Sequence, residues 1–120
     1  MIKRFFDSFY YAGRGLGHAF KTELNFRIEI FISILVISAL IYFHPPVSQT
    51  IVVLLLIMAV LVMELMNTAF EYMTDLLKPR LNHYVAAIKE VLAAAVLITS
   101  LVSATIGILI FWPYFMTFLK

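Results

Sequence analysis

Apolar residues in this chain are gathered into three long runs separated by short polar breaks. The first runs from about Ile28 to Phe43, with Glu29 at its start. It is short for a membrane helix, which needs roughly 20 apolar residues. His44-Pro45-Pro46 then forces a turn, because proline cannot continue a helix and restricts the residue before it. The second run begins near Val47 and is unbroken from Ile51 to Met63. Its helix is predicted to continue through Glu64, Asn67, Glu71 and Asp75 to Leu77, where Lys78-Pro79-Arg80 ends it. The third run, Val91 to Trp112, carries no charge. Trp112-Pro113-Tyr114 marks its interfacial exit, since amphipathic aromatic rings favour the headgroup level. The pattern therefore predicts an all-α membrane protein with transmembrane helices at about 28–43, 47–77 and 87–112.

The segment before the first run, residues 1–27, reads differently. Lys3, Arg4, Asp7, Arg14, His18 and Lys21 alternate with Phe5, Phe6, Phe9, Tyr10, Tyr11, Leu16 and Phe20. Phe5, Phe9, Leu16 and Phe20 fall near helical spacing, which predicts an amphipathic helix lying in the membrane interface. Gly13, Gly15 and Gly17 weaken that helix and point to close packing or a kink. They are not a phosphate loop, because no Lys-Ser/Thr pair follows and no strand precedes them.

Composition agrees. Of 120 residues, 63% are hydrophobic and only 13% charged, and the mean hydropathy is +1.00. A soluble domain of this size would lack polar residues to cover its surface, so residues 1–120 read as one integral membrane domain. The absence of cysteine excludes disulfides, thiolate metal sites and a cysteine nucleophile. A net charge of +2 gives no reason to expect a nucleic-acid partner. No removable signal peptide is expected, because the first apolar run is far from the N-terminus and no small-residue cleavage site follows it. Ile2 and the missing cysteines also argue against a lipid anchor. Basic residues orient the chain. Lys3, Arg4, Arg14, Lys21 and Arg27 precede the first span, and Lys78, Arg80 and Lys89 lie in the second connection, whereas the connection at Pro45 has no Lys or Arg. The N-terminus and second connection are accordingly expected in the cytoplasm.

The candidate chemistry lies on the second helix. Glu64, Asn67, Glu71 and Asp75 fall within a stripe of roughly 80° at helical geometry. A carboxylate inside a membrane is costly and usually serves function. Neighbouring carboxylates repel unless a cation or a proton relieves them. Mg²⁺ prefers carboxylate oxygens together with substrate phosphates, and a boundary carboxylate can serve as general base toward a hydroxyl presented by lipid. A plainer reading also holds for Asp75, and for Glu71: solvated residues at headgroup depth. A second cluster, Glu23, Asn25, Arg27 and Glu29, is expected at the same cytoplasmic level. Glu23 and Arg27, four residues apart, could form only a surface ion pair, or the cluster could complete a metal site. Three helices offer little interior for the stripe, so an oligomer is expected. Ala93, Ala94, Ala95, Ser100, Ser103, Ala104 and Gly107 suit close helix contact, or are small residues tolerated in lipid.

The run Glu64-Leu65-Met66-Asn67-Thr68-Ala69-Phe70-Glu71, followed by Asp75, resembles the signature of the prokaryotic diacylglycerol kinase family, which includes undecaprenol kinases. The resemblance extends to Glu23-x-x-x-Arg27 before the first span and to Lys89-Glu90 before the third. It implies a homotrimer with active sites at subunit interfaces on the cytoplasmic face of the prokaryotic inner membrane, and transfer of phosphate from MgATP to a lipid alcohol. By resemblance, Glu64 is the catalytic base, and Glu23 and Glu71 hold the divalent metal with ATP. Asn67 supports the site, Lys89 contacts phosphate, and Glu90 contacts the nucleotide. Arg4 and Tyr11 fall where the family contacts nucleotide, and Glu29 matches a further acidic position. Two positions depart from the family pattern: Glu90 replaces the usual aspartate, and Leu92 stands where small residues are usual. Asn67-Thr68-Ala69, Asn25-x-Arg27-Ile28 and the stretch Gly107 to Pro113 look more like the undecaprenol kinase branch, with diacylglycerol the second choice of substrate. A non-enzymatic transport or proton-relay subunit would also use intramembrane carboxylates. It would usually place them near mid-bilayer, whereas this stripe runs out to the cytoplasmic end. A structural adaptor leaves the stripe unexplained.

Overall fold

The structure, a computed structural model, describes residues 1–80 and 82–120. The described residues form four helices and no strand: α1 (Ile2–Thr22), α2 (Leu24–Phe43), α3 (Val47–Leu77) and α4 (Asn82–Leu119). In lipid a chain must satisfy its backbone within itself, and an unbroken helix does so. Three helices, α2, α3 and α4, are long and apolar enough to cross a membrane. The α2 helix begins at Leu24, four residues before the apolar run suggests, because nothing between Leu24 and Ile28 breaks the helix. At its other end His44 adopts the left-handed conformation, φ 51° and ψ 56°. Its N–H donates to the Leu40 carbonyl, and the two prolines turn the chain into α3. The α4 helix does not stop at Trp112; it continues through Pro113 to Leu119.

Near the Pro45 turn the three long helices meet in a small core. Leu40 of α2, Val53 of α3 and Phe111 of α4 are buried together, flanked by Val36, Phe43, Ile57 and Tyr114. The Phe43 ring lies against those of Phe111, Tyr114 and Phe115. The Tyr114 hydroxyl donates to Gln49 Oε1 at 3.0 Å, joining α4 to α3. Most other large apolar side chains point outward, as they must where the surrounding solvent is hydrocarbon and helices associate by packing and interhelical hydrogen bonds.

The α1 helix is continuous, so the three glycines do not break it. Within this chain a Cβ added at Gly13, Gly15 or Gly17 would meet nothing within 4 Å, and the same holds at Gly107 on α4. The joint between α1 and α2 is made by one extended residue, Glu23, at φ −111° and ψ 110°. Arg27 determines how that joint closes. Its Nη1 donates to the carbonyls of Phe20 at 2.8 Å and Lys21 at 3.0 Å, two of the acceptors that the end of α1 would leave unpaired. The expected pair between Arg27 and Glu23 is not formed; among the described residues the only ion pair joins Lys89 and Asp75. Ala19 and Phe26, on either side of the joint, are buried. Arg27→Gln should remove this cap, at a cost of about 1 kcal/mol. The expected result is faster amide hydrogen exchange at the C-terminal end of α1 with α3 unchanged. Equal protection in both proteins would remove Arg27 from this role.

Candidate functional site

One face of α3 carries both the core and the candidate chemistry. Val53, Val60, Glu64, Glu71 and Asp75 follow one another at intervals of seven or four, so they share a face. That face is apolar in its first half and acidic beyond Met63. Twenty residues from Val47 reach Met66, about the length that crosses the hydrocarbon core. By that count Glu64 falls near the end of the apolar stretch, and Asn67, Glu71 and Asp75 follow it.

Neighbouring helices close over Glu64, which is 2% exposed. Within the single chain Glu64 is buried, whereas Asn67 and Glu71 are half-buried and Asp75 is exposed. Two hydroxyls brace the stripe from within the helix: Thr68 donates to the Glu64 carbonyl at 3.0 Å and Thr74 to the Glu71 carbonyl at 2.9 Å. Both threonines are buried. Their spacings, four after Glu64 and three after Glu71, suit the back-bonding of threonine onto a preceding turn, a signal the polar stripe itself overshadowed. The Asn67 amide nitrogen donates to Glu71 Oε1 at 3.3 Å, which orients that carboxylate.

The acids of the first half of the chain join this stripe. Glu23, at the α1–α2 joint, lies near enough to Glu71 and Glu64 for their charges to act on one another. Burial, and then the Glu71 charge, hold the Glu23 carboxyl above the usual carboxylate range. Glu29 lies one and a half turns further along α2, within electrostatic reach of Glu64. Its Oε2 is buried with no hydrogen-bond partner. The same residue lines a cavity of about 470 Å³ between α2, α3 and α4, with Val53, Val60, Ser100 and Ser103 among its walls. Helix by helix, then, the fold gathers Glu23, Glu29, Glu64, Asn67 and Glu71.

Among the described residues no three acidic or histidine side chains are placed to hold a metal ion by themselves. The oxygens of Glu23 and Glu71 nonetheless suit a hard divalent cation whose remaining ligands come from phosphate and water. The charge crowding at Glu23 is the kind that such a cation relieves.

Other predicted residues sit at different distances from this cluster. The Lys89 Nζ, on α4, is 3.7 Å from Asp75 Oδ1 at the last turn of the stripe. Glu90 is exposed beside it. Tyr11 of α1 lines a second cavity, about 680 Å³, between α1 and α3, together with Arg14, His18, Thr68 and Tyr72. The rings of His18 and Tyr72 lie 5.5 Å apart across it, a contact no local pattern announced. Arg4 is exposed seven residues further out along α1, about 10 Å at helical rise, and the fold does not bring it to the carboxylates. Leu92 is half-buried on α4.

Comparison with known proteins identifies relatives of nearly the whole chain. The sequence model described as "Prokaryotic diacylglycerol kinase" matches residues 10–111. A protein of Bacillus subtilis named undecaprenol kinase is 33% identical over 112 residues, which cover 93% of this chain and 91% of the relative. A protein of Synechocystis named diacylglycerol kinase is 37% identical over 101 residues, covering 83% of this chain and 58% of the relative. No solved structure matches. The matched region contains the whole acidic stripe, the α1–α2 joint and Lys89-Glu90, and the chain belongs to the prokaryotic diacylglycerol kinase family.

Proposed function

We propose that this protein is a lipid kinase that uses MgATP to phosphorylate the hydroxyl of a membrane lipid alcohol at the cytoplasmic boundary of the inner membrane. The observation that carries this reading is the burial of Glu64, at the depth where α3 leaves the hydrocarbon, within charge range of Glu23 and Glu71. A buried carboxylate there can accept a proton from a hydroxyl whose apolar tail remains in lipid.

In this reading Glu23 and Glu71 hold the divalent cation, which offsets the charge of the phosphate oxygens when bound. Asn67 keeps Glu71 in place through its 3.3 Å hydrogen bond. Glu64 takes the hydroxyl proton as the lipid oxygen bonds to the terminal phosphorus and the bond to the ADP oxygen breaks. Lys89 brings positive charge to the transferring phosphate. Glu90, Tyr11 and Arg4 serve nucleotide binding. The α1 helix, with Phe5, Phe6, Phe9 and Phe20 exposed, rests in the interface beside the Leu65, Ala69 and Tyr72 side of α3. The extensive coverage of a relative named undecaprenol kinase favours undecaprenol as acceptor, with diacylglycerol next. A homotrimer is part of the reading: it would bring Arg4, remote within one chain, to the carboxylates of a neighbour.

Labelled ATP, Mg²⁺ and a panel of lipid alcohols in mixed micelles test the activity directly, and absence of transfer to every acceptor would overturn it. A proton-relay protein would show no transfer in that assay. Glu64→Gln should keep nucleotide binding and lower turnover at least about 100-fold, the lower end of what a general base contributes. Near-normal turnover would remove Glu64 from the base role.

The metal reading makes a pH-dependent prediction. Glu23 has a raised pKa, so its contribution to stability is present at acid pH and lost as pH rises through that raised value. A divalent cation binds the ionised form and works against the loss. Stabilisation of the protein by Mg²⁺ with nucleotide should therefore grow as pH rises through that range. Both Glu23→Gln and Glu71→Gln should flatten this trend and raise the Mg²⁺ requirement of turnover. A trend unchanged in both variants would dismiss them as ligands. For the assembly, crosslinking in active micelles should trap trimers; monomer alone under those conditions would defeat the shared site.

A further inference from the structure

The one ion pair among the described residues joins the ends of α3 and α4. Lys89 Nζ lies 3.7 Å from Asp75 Oδ1, and the two side chains are 42% and 60% exposed. Three features make the contact more than a chance meeting of surface charges. Asp75 is the last residue of the acidic stripe, one turn beyond Glu71 and on the same face. Thr74, beside it, is 1% exposed and tied to the Glu71 carbonyl, so this turn of α3 is fixed in place. On α4, Val85 lies one turn before Lys89 and is buried, and α3 and α4 share the most extensive packing in the molecule. Both backbones are thus held, and the variable part is the four-carbon lysine stem.

We propose that Asp75 is a positioning residue that holds the Lys89 ammonium at the cytoplasmic mouth of the acidic stripe and releases it to nucleotide phosphate. The inference rests on the kinase reading above and adds a role for a residue that reading leaves idle. Its physical basis is the weakness of the contact. At 3.7 Å, and in water, the pair is longer than a hydrogen bond and contributes well under what a buried pair would. A triphosphate carries several negative charges and outcompetes a single solvated carboxylate for the ammonium. Without Asp75, the nearest acid on the stripe is Glu71, and a free lysine would compete with the cation there. The Asp75 carboxylate therefore keeps two positive charges apart: the ammonium at the mouth and the divalent ion one turn inward.

The test compares the steady-state kinetics of the full-length protein with those of Asp75→Asn, Asp75→Glu, Lys89→Gln and the double variant Asp75→Asn/Lys89→Gln, in mixed micelles. Asp75→Asn should lower kcat about fivefold, which corresponds to about 1 kcal/mol. KM for the lipid should stay unchanged. Asp75→Glu should restore most of the loss, because the carboxylate can still reach Lys89. In the Lys89→Gln background the asparagine change should have no further effect. No loss in Asp75→Asn, or the same fractional loss in both backgrounds, would overturn the proposal. So would a raised Mg²⁺ requirement in Asp75→Asn that Asp75→Glu restores with Lys89 absent, since that is the behaviour of a metal ligand. If Lys89→Gln turns over too slowly to compare, the effect of Asp75→Asn on kcat, its rescue by glutamate and the Mg²⁺ requirement decide the matter. Should the unmodified chain transfer no phosphate at all, the kinase reading falls and this role with it; transfer that is indifferent to Asp75 sinks the role alone.

Discussion

Removing a carboxylate from water costs several kcal/mol unless hydrogen bonds or opposite charge meet it, and Glu64 is placed where that cost is incurred. The inward face of α3 is apolar through Val53 and Val60, then becomes acidic at Glu64, at the depth where the hydrocarbon ends. The surrounding fold adds further acids to this site instead of opposite charge. The α1–α2 joint adds Glu23, α2 adds Glu29, and Thr68 and Asn67 hold the backbone and side chains of the stripe itself. What gathers is negative charge facing negative charge. Such a cluster is poor as a stabilising device and well suited to receiving a cation together with phosphate.

The two ends of the bundle divide the work. At the Pro45 end, Leu40, Val53 and Phe111 pack into a core, aromatic rings surround Phe43, and Tyr114 bonds to Gln49. These contacts are apolar or neutral and hold three helices in register. At the opposite end, α1 lies over α3 across an open cavity, and the sole ion pair among the described residues is solvent-exposed. The Pro45 end joins the three helices through apolar contacts, while the other end holds the unpaired charge. Arg27 links the two regimes: by capping α1 it holds the joint that carries Glu23.

Much of this was legible in the sequence. Run length alone announced three membrane-crossing helices, because the hydrocarbon core demands about 20 apolar residues and tolerates no exposed backbone. The prolines at 45, 46 and 79 marked the breaks. Helical periodicity placed Glu64, Asn67, Glu71 and Asp75 on one face, since it depends only on 3.6 residues per turn. The motif those residues form pointed to the family that the comparisons identify.

Tertiary structure decided what lies across that face. Spacing suggested that Arg27 meets Glu23; the extended residue at the joint instead turns the guanidinium onto the carbonyls of α1. The glycines of α1 suggested close packing or a kink; within this chain a side chain added at any of them would meet nothing within 4 Å. Periodicity placed Glu64 and Asp75 on one polar face, yet the fold buries Glu64 to 2% exposure and leaves Asp75 exposed. In each case the sequence determined which residues share a helix face, because that geometry is local and repeats every turn. Which faces meet depends on the torsions of a single joint residue and on how bulky side chains set the helix axes. Both are properties of the folded chain, and no periodicity along the sequence encodes them.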